Sequence, residues 1–344
     1  MLAALQTIAA HGTTSRAAIA RATGLTRATV SSLVAQLIEE GLVRELGPAE
    51  AGTAGKPPSL LTIDDDGRQM IALDLSRQPF EGRVMSLGGE TLHRTRADRP
   101  ATGTNAVEAV VELVAQCLAN TSSPVLGIGV GTPGMISPDG AVRVASHLEW
   151  HDVPLRQVLA DRFELPVAVG NDAHVSALAQ LRASQADTLL LVTVGEGIGS
   201  GLILNGSLHT GDHLASGEIG HVVVDPGGQA CHCGLHGCLE TVAALPAVER
   251  GPNGFTADSA HRAARHLGAT LAVVVAAVDL ELVVVSSPLT QVDGYIESVQ
   301  RELRSRLHPD RAGEVTVEAS RIEDIVLAGA AAAAMREVLG VVLR

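Results

Sequence analysis

Four residues of this 344-residue chain have the types and spacing of a metal site. Three of its four cysteines fall within eight residues, and a histidine stands ten positions before the first of them: His221, Cys231, Cys233 and Cys238. One imidazole and three thiolates can close a tetrahedral shell around Zn²⁺, and a shell with no open position is structural rather than catalytic. The spacing therefore predicts a structural zinc site.

Other uses of clustered cysteines fit this spacing less well. Cys231 and Cys233 are too close for an easy disulfide with each other, and Cys117 is the only cysteine elsewhere. A thioredoxin-like redox centre needs C-x-x-C in a βαβ context, whereas this chain has C-x-C. Reduced cysteines that hold no metal remain the alternative to zinc.

Two carboxylates flank the cysteine cluster. Glu218 precedes His221 by three residues, and Glu240 follows Cys238 by two. A metal bound by the cluster would position both glutamates together. The segment therefore predicts a polar ligand site that zinc makes rigid.

A third polar pair, Asn171 and Asp172, lies between a predicted strand at 167–169 and a predicted helix at 173–182. In α/β folds the end of a strand that leads into a helix is where ligand-binding groups are placed. A plain helix cap by Asp172 is the alternative, and spacing alone does not exclude it.

The elements that must position these residues alternate between strands and helices from residue 70 onward, which indicates an α/β fold. Strands are predicted at 71–75, 83–87, 91–95, 125–130, 167–169, 189–194 and 202–204, and helices at 105–119, 154–163 and 173–182. The glycine-rich segment 195–201 lies between two predicted strands. A dinucleotide-binding fingerprint precedes a helix, so this segment predicts a loop of another kind.

The amino-terminal segment predicts a helix-turn-helix. Ser15 is a suitable cap for a helix over 16–23, Gly24 makes the turn, and Thr26 caps a second helix over 27–39. The outward positions of the second helix carry small hydrogen-bonding groups and one arginine, which suit a major groove. The predicted DNA contacts on this helix are Thr26, Arg27, Thr29, Ser31 and Ser32.

A wing is predicted directly after this pair of helices. Strands at 42–46 and 59–63 flank the segment 51–58, in which Lys56 could reach a minor groove or phosphates. The first 38 residues hold three arginines and no carboxylate, although the net charge of −13 argues against nonspecific nucleic-acid binding by the whole chain. A three-helix packing module or a dimerisation cap is the alternative.

Composition indicates a folded, globular, cytoplasmic protein with reduced thiols. Hydrophobic residues make up 46% of the chain, and the mean hydropathy is +0.25. The sequence has no run of eighteen apolar residues and no basic region ahead of its first apolar stretch, so neither a membrane span nor a signal peptide is expected.

Taken in order, these motifs resemble the ROK family of repressors, open reading frames and kinases. The resemblance covers essentially the whole chain and is carried by the winged helix, Asp74, the segments 131–134, 171–172 and 195–201, and most specifically 217–240. It implies a winged helix-turn-helix followed by a two-lobed, actin-like and hexokinase-like fold with ribonuclease H-like lobes around a sugar cleft. The implied domains are 1–64, 65–185 with about 322–344, and 186–321.

The resemblance also implies roles for single residues. The implied sugar contacts are Asn171, Asp172, Glu218, His221 and Glu240, of which His221 is also a zinc ligand. In the family's kinases the residue that matches Asp172 is the general base for phosphoryl transfer. Zinc would then be structural and would hold one wall of the sugar cleft.

Three departures from the family's pattern weaken the nucleotide side. The family's kinases resemble D-x-G-x-T where this chain has residues 74–78, which lack the glycine. Their G-T-G is replaced here by Gly195-Glu196-Gly197. Their V-V-L-G-G is replaced by a segment that ends in Ser286-Ser287-Pro288. A carboxylate at Glu196 would repel nucleotide phosphates. ATP is therefore not expected as a cofactor. On the sugar side His147 replaces a usual asparagine, which leaves the sugar unidentified.

These features together predict a sugar-responsive repressor of carbohydrate-metabolism genes that is not an enzyme. A homodimer would bind a pseudo-palindromic operator, and sugar binding would change the spacing of the two winged helices. Release of DNA by sugar is the commoner arrangement in the family. The alternatives are an ATP-dependent sugar kinase of the ROK type that carries a winged helix, and a zinc scaffold in which both binding sites are relics.

Overall fold

The computed structural model describes residues 1–48, 59–77, 79–97, 103–250 and 254–340. Contacts within the chain define two compact units, Met1–Gly170 with Ala330–Arg344 and Asn171–Gly329. The second unit is thus one continuous segment inserted into the first. The domain limits given above stay a prediction; by its contacts the helix after Asn171 lies in the second unit.

Residues 1–48 and 59–63 form three helices and a small antiparallel sheet in the order β1-β3-β2. The elements are α1 Leu2–His11, β1 Thr14–Ser15, α2 Arg16–Thr23, α3 Arg27–Glu39, β2 Val43–Pro48 and β3 Ser59–Ile63. Ser15 Oγ accepts a hydrogen bond from Ala18 N at 3.3 Å, and Thr26 Oγ1 accepts one from Thr29 N at 3.2 Å. Gly24 is left-handed at φ +70°. The predicted caps and turn are confirmed.

The rest of the first unit contains a five-stranded sheet in the order β11-β7-β4-β5-β6. The elements of this part of the unit are β4 Gln69–Asp74, β5 Phe80–Ser86, β6 Thr91–Ala97, α4 Thr104–Leu118, β7 Val125–Thr132, β8 Met135–Ile136, β9 Val142–Ala145, β10 Trp150–Val153, α5 Leu155–Phe163 and β11 Val167–Asn171. Strands β8, β9 and β10 form a separate three-stranded sheet. One face of the sheet packs on α4 through buried aliphatic side chains such as Ile71, Leu73 and Val110. Burial of such side chains is the main stabilising term of this unit.

The second unit contains another five-stranded sheet, in the order β14-β13-β12-β15-β16. Its elements are α6 Asp172–Ala183, β12 Leu189–Val194, β13 Ile198–Leu204, β14 Ser207–His209, α7 Leu239–Ala243, α8 Leu245–Glu249, α9 Ala257–Val278, β15 Leu282–Ser286, α10 Tyr295–Arg304, α11 Pro309–Ala312 and β16 Thr316–Ala319. The core lies between this sheet, α7, α9 and α10 and includes Val283, Leu267 and Val299.

Both five-stranded sheets share one topology. In each, three consecutive strands form an antiparallel meander, and the next strand pairs in parallel with the first strand of that meander: β7 with β4, and β15 with β12. A fifth strand then adds at the outer edge. Two such lobes in one chain confirm the predicted actin-like, ribonuclease H-like fold class.

The last helix, α12 Ile325–Leu339, returns the chain to the first unit. Its backbone lies against β7, where a Cβ on Gly129 would collide with the carbonyl of Ala330. The glycine is therefore needed for close packing of helix on strand. None of the helices that the structure describes is both long and apolar enough to cross a membrane.

One predicted element is wrong in its extent. The glycine-rich segment 195–201 is a loop only at Gly195, Glu196 and Gly197, because β13 begins at Ile198 and pairs with β12 from there. A Cβ on Gly201 would lie 2.5 Å from the Cβ of Ala177 on α6. This later glycine therefore serves the packing of α6 on the strand rather than a loop.

Candidate metal centre and ligand site

The four predicted metal ligands lie in the second unit, in the chain between β14 and α7. His221 ends a short 3₁₀ turn, Ile219–His221, and Cys238 is the residue directly before α7. A short bridge of Val223 with Cys238 joins the two ends of the intervening loop, and a second bridge joins Ala230 to His236. These backbone pairings bring the cysteine loop back to the histidine.

The ligand atoms of His221, Cys231, Cys233 and Cys238 all lie within 4.8 Å of one another. Cys233 Sγ is 3.7 Å from Cys238 Sγ, and Cys231 Sγ is 3.5 Å from His221 Nδ1. Zn–S bonds of about 2.3 Å and Zn–N bonds of about 2.0 Å give tetrahedral edges of about 3.8 Å between sulfurs and about 3.5 Å between sulfur and nitrogen. The distances from Cys233 to Cys238 and from Cys231 to His221 therefore match two edges of a tetrahedral zinc site.

The surroundings shift the pKa values of the three thiols in different directions. Burial raises the pKa of Cys238 to about 12 and also raises the pKa of Cys231. The backbone N–H of Leu235 lowers the pKa of the exposed Cys233. Three thiolates at these distances repel one another, so deprotonation of the whole set needs a cation among them.

The two glutamates take different positions around this loop. Glu218 Oε2 lies 3.8 Å from Nε2 of His221, the ring nitrogen that faces away from Cys231. Glu240 uses both of its oxygens: Oε2 accepts a hydrogen bond from Ile198 N at 3.1 Å, and Oε1 lies 2.9 Å from His232 Nδ1. Both carboxylates therefore contact the cysteine–histidine loop, as expected from the sequence.

His232 is a site residue that sequence reasoning missed. It contacts Glu240 and lies near His221 and Cys231, and with His221 and Glu240 it forms a second group of donors that could hold a cation. This second group shares His221 with the first. The only sequence signal was its place between two cysteines, which does not reveal the contact with Glu240.

Asn171 and Asp172 begin helix α6. Asn171 Oδ1 accepts hydrogen bonds from Ala173 N at 3.0 Å and His174 N at 3.1 Å, so the helix cap is Asn171 rather than Asp172. Asp172 Oδ1 also accepts from Ala173 N, at 2.9 Å. These bonds fix both side chains at the start of the helix.

His174 connects this helix to the segment that carries Glu218. Its Nε2 lies 2.7 Å from the carbonyl oxygen of Ser216, two residues before Glu218. Burial lowers the pKa of His174, and the bond to Ser216 partly offsets that effect. The neutral ring therefore joins two segments that hold predicted sugar contacts.

The turn after β4 is closed by its own side chains. Asp74 is fully buried and accepts hydrogen bonds from Ser76 N at 2.9 Å, Ser76 Oγ at 2.6 Å and Arg77 Nε at 2.8 Å. In the corresponding turn after β12, Glu196 is exposed. Gln78 and the His147 side chain lie outside the described residues.

A charged network on β5 and β6 was also missed. The buried Glu81 pairs with Arg83 at 2.7 Å, Arg94 at 3.0 Å and Arg96 at 3.1 Å. The alternation of Arg94 and Arg96 places both on one face of β6, which the sequence could have shown. Their shared carboxylate partner on the neighbouring strand depends on register and could not be inferred.

The predicted DNA-contacting residues lie on one element. Thr26, Arg27, Thr29, Ser31 and Ser32 are all exposed and line α3 or its cap. The opposite side of α3 is buried through Val30, Val34 and Leu37. The predicted contact Lys56 lies outside the residues that the structure describes.

Comparison with known proteins identifies relatives of each part. Residues 70–253, more than half of the chain, match the sequence model of the ROK family, and residues 2–52 match that of the MarR family. A putative xylose repressor of Caldicellulosiruptor sp. (strain Rt8B.4) is 33% identical over 253 residues, 71% of this chain and 63% of that protein. The DNA-binding transcriptional dual regulator NagC of Escherichia coli K12 is 32% identical over 248 residues, 70% and 61%. The match thus spans less than two thirds of these relatives.

Solved structures agree with this assignment. A ROK family transcriptional regulator, described as a homologue of the E. coli MLC protein, superposes with a TM-score of 0.85 at 25% identity and covers 99% of this chain and 96% of its own. The ROK hexokinase of Thermus thermophilus superposes with a TM-score of 0.64 at 28% identity and covers 76% and 96%. With the family model matching over half its length, the chain belongs to the ROK family.

Proposed function

We propose that this protein is a DNA-binding repressor that responds to a sugar and does not phosphorylate it. The observation that carries the proposal is the exposed, hydroxyl-rich face of α3, in a chain that superposes over 99% of its length on a ROK transcriptional regulator. Small hydroxyl side chains and an arginine on the second helix of such a motif suit base edges and phosphates in a major groove.

The sugar site is proposed to lie on the second unit. Asn171, Asp172, Glu218, His221 and Glu240 offer the carboxylate, amide and imidazole groups that bind hydroxyls, and a site built from them rejects ligands that leave them unpaired. The neutral His174 links the segments of Asp172 and Glu218 through Ser216. Relatives named for xylose and N-acetylglucosamine support a monosaccharide or a derivative as ligand.

A structural Zn²⁺ is proposed at His221, Cys231, Cys233 and Cys238, where the donor distances fit its radius. When bound, the ion supplies positive charge to three thiolates and cross-links the loop. The protein's own residues then act on the ligand: His221 and Glu240, both in this loop region, would be held at fixed positions.

The DNA side is tested with a single substitution. Genomic fragments selected by the full-length protein should yield an enriched, pseudo-palindromic site, and Arg27→Ala should bind it about tenfold more weakly because one groove or phosphate contact is lost. Arg321→Ala, another exposed arginine, is the matched control and should bind like wild type. No enriched site in the selection would contradict the regulator.

Two copies of the chain are proposed to bind together, since recognition helices on a dimer match a two-fold symmetric operator. Light scattering of the free and DNA-bound protein should give two chains per site. Addition of the sugar should release the DNA, because differential affinity for two conformations couples the two sites. If each sugar that binds leaves the affinity for DNA unchanged, the proposed coupling between the sugar site and the DNA site is wrong.

A sugar kinase is the second candidate, favoured by the superposition on the Thermus thermophilus hexokinase. Against this, Arg77 already pairs with Asp74 in the turn after β4, and the carboxylate of Glu196 would repel nucleotide phosphates. A coupled assay with ATP and a panel of hexoses and pentoses should show no turnover above background. Turnover that disappears in Asp172→Asn would establish the kinase instead.

A further inference from the structure

Glu240 is held by two segments that are far apart in sequence. Its Oε2 accepts from Ile198 N at 3.1 Å, at the first residue of β13. Its Oε1 lies 2.9 Å from His232 Nδ1. His232 belongs to the metal loop, the segment 221–238 that carries the four proposed zinc ligands. A carboxylate only accepts hydrogen bonds, so Nδ1 of His232 carries the hydrogen. Each oxygen is therefore fixed by a different segment.

The space around this carboxylate allows little rearrangement. The Glu240 side chain is 13% exposed. A Cβ on Gly197 would lie 2.5 Å from Oε2, so the glycine leaves room for the carboxylate to approach the β12–β13 turn. The two short contacts, from Ile198 N and His232 Nδ1, thus hold Glu240 from opposite ends, and Oε1 has only one further, longer contact, with Cys231 Sγ at 3.8 Å.

His232 is itself fixed by its neighbours. It lies between Cys231 and Cys233, both proposed metal ligands, and its ring meets the His221 ring edge-on, with centroids 5.1 Å apart and planes at 78°. The conformation of the metal loop therefore sets the position of the His232 ring. The ring in turn sets the carboxylate that reaches Ile198.

We propose that His232 is a positioning residue that orients Glu240 and connects the metal loop to the β12–β13 turn. The orientation is a property of the free protein. Its effect on ligand affinity rests on the proposed function, in which Glu240 contacts a sugar hydroxyl. Because Nδ1 makes the bond, the amide introduced by His232→Asn would donate from nearly the same place, whereas the longer side chain introduced by His232→Gln would carry its amide to the position of Nε2.

The first experiment needs no sugar. Amide hydrogen exchange at Ile198 is measured by NMR in the zinc-loaded, full-length protein for His232→Ala, His232→Gln, His232→Asn and His236→Ala. Exchange should be several-fold faster in the alanine and glutamine variants of His232, since the acceptor of Ile198 N is no longer held. It should match wild type in His232→Asn and in His236→Ala, the control at an exposed histidine of the same loop.

Two further readouts separate positioning from general damage. All four variants should bind the same amount of zinc as wild type, since none of them removes one of the four proposed ligands, His221, Cys231, Cys233 and Cys238. In a Glu240→Gln background, His232→Ala should add no further increase in exchange. Wild-type exchange in His232→Ala, or a full additional increase in the double variant, would overturn the proposal.

The second experiment measures affinity for xylose, N-acetylglucosamine and glucose by calorimetry. For any of these that wild type binds, His232→Ala should weaken binding about tenfold, as the loss of one charge-assisted hydrogen bond does, and His232→Asn should restore it. Unchanged affinity in His232→Ala would overturn the role in ligand binding. If none of the three binds while the exchange pattern is as expected, the sugar ligand fails and the positioning of Glu240 stands.

Discussion

The turns after β4 and after β12 occupy the same place in two sheets of the same topology, but they are held in different ways. The first is closed locally, by bonds from Ser76 and Arg77 to the buried Asp74. The second is held from a distance, by Glu240 at Ile198. The side-chain bonds of the first turn thus come from neighbouring residues, and that of the second comes from a glutamate on α7, 42 residues away.

This difference bears on the proposed regulatory function. Both turns depart from the glycine and hydroxyl patterns that family kinases use for phosphates. In the first unit the half-exposed Arg77 pairs with the buried Asp74. In the second unit the glycines persist, and one of them lets a carboxylate approach. The second turn is therefore the one whose geometry depends on the proposed ligand site.

The largest effect is expected when the metal loop itself is broken. Cys238→Ser removes a buried sulfur at the start of α7, so zinc should be lost and the second turn with it. We expect the free energy of unfolding to fall by about 3 kcal/mol, which lowers the apparent melting temperature by about 6–12 °C for a unit of this size. Calorimetry together with zinc analysis measures both quantities.

Cys117→Ala is the control for this prediction, because Cys117 is a buried thiol of the first unit. It should keep the full zinc content even if the melting temperature falls. Stoichiometric zinc in Cys238→Ser would show that the loop does not use this residue as a ligand.

A smaller effect is expected from a methyl group added at the second turn. Gly197→Ala would place a Cβ 2.5 Å from Glu240 Oε2, whereas Gly195→Ala has no atom within 4 Å of its new Cβ. We expect Gly197→Ala to lower the free energy of unfolding by about 1–2 kcal/mol and Gly195→Ala to change it by less than about 0.5 kcal/mol. Urea denaturation compares the pair, and equal stability would show that Glu240 does not brace the turn.

Arg77 in the first turn can be compared with Arg94 on β6. Arg77 and Arg94 are 48% and 46% exposed and bind buried carboxylates through Nε at 2.8 Å and 3.0 Å. Glu81 keeps Arg83 and Arg96 when Arg94 is removed, whereas Asp74 without Arg77 keeps its bonds from the uncharged Ser76. Arg77→Ala should lower the free energy of unfolding by about 1–2 kcal/mol. Arg94→Ala should lower it by about 0.5 kcal/mol or less. The reverse order in denaturation would contradict local closure of the turn.

The smallest effect is a change of pH dependence at His174. Burial lowers its pKa below the ordinary 6.5, so the unfolded chain takes up a proton where the folded protein does not. The contribution of His174 to the free energy of unfolding is therefore complete above about pH 6.5 and falls as the pH is lowered from there towards the pKa of the folded protein. His174→Gln, which keeps a donor near Nε2, should lose less melting temperature than wild type between about pH 7.5 and about pH 5.5.

The exposed His151 provides the control for this pH dependence. His151→Gln should follow the wild-type curve, and zinc loss at low pH cancels because all three proteins carry the same metal ligands. Parallel curves for His174→Gln and wild type would contradict the effect of burial.

Local sequence was sufficient for much of the fold. Ser15 and Thr26 cap helices through hydrogen bonds to residues three positions later, and Gly24 ends a helix through its left-handed backbone. Such short-range chemistry is visible in the sequence. The cluster of His221, Cys231, Cys233 and Cys238 was also visible in the sequence, because residue type and spacing are themselves local, and the structure brings the four donor atoms within 4.8 Å of one another. The strand boundary at Ile198 was missed because glycine suits both a loop and close packing on a helix.

The contacts of the site could not be predicted in the same way. Glu240 meets Ile198 across 42 residues, and His174 meets Ser216 across 42 residues. These contacts depend on how strands and loops assemble in space, which no single stretch of sequence determines. The capping role of Asn171 could not be distinguished from one by Asp172 either, because adjacent residues of similar chemistry differ there only in backbone geometry.

The insertion of the second unit into the first affects the order in which the chain is synthesised. A ribosome completes β7 and then all of residues 171–329 before it reaches the body of α12. During that interval Gly129, whose missing side chain makes room for Ala330, has no helix to pack against. Folding from the amino terminus therefore cannot finish the first unit first. The strip of β7 at Gly129 can be covered only once α12 has emerged.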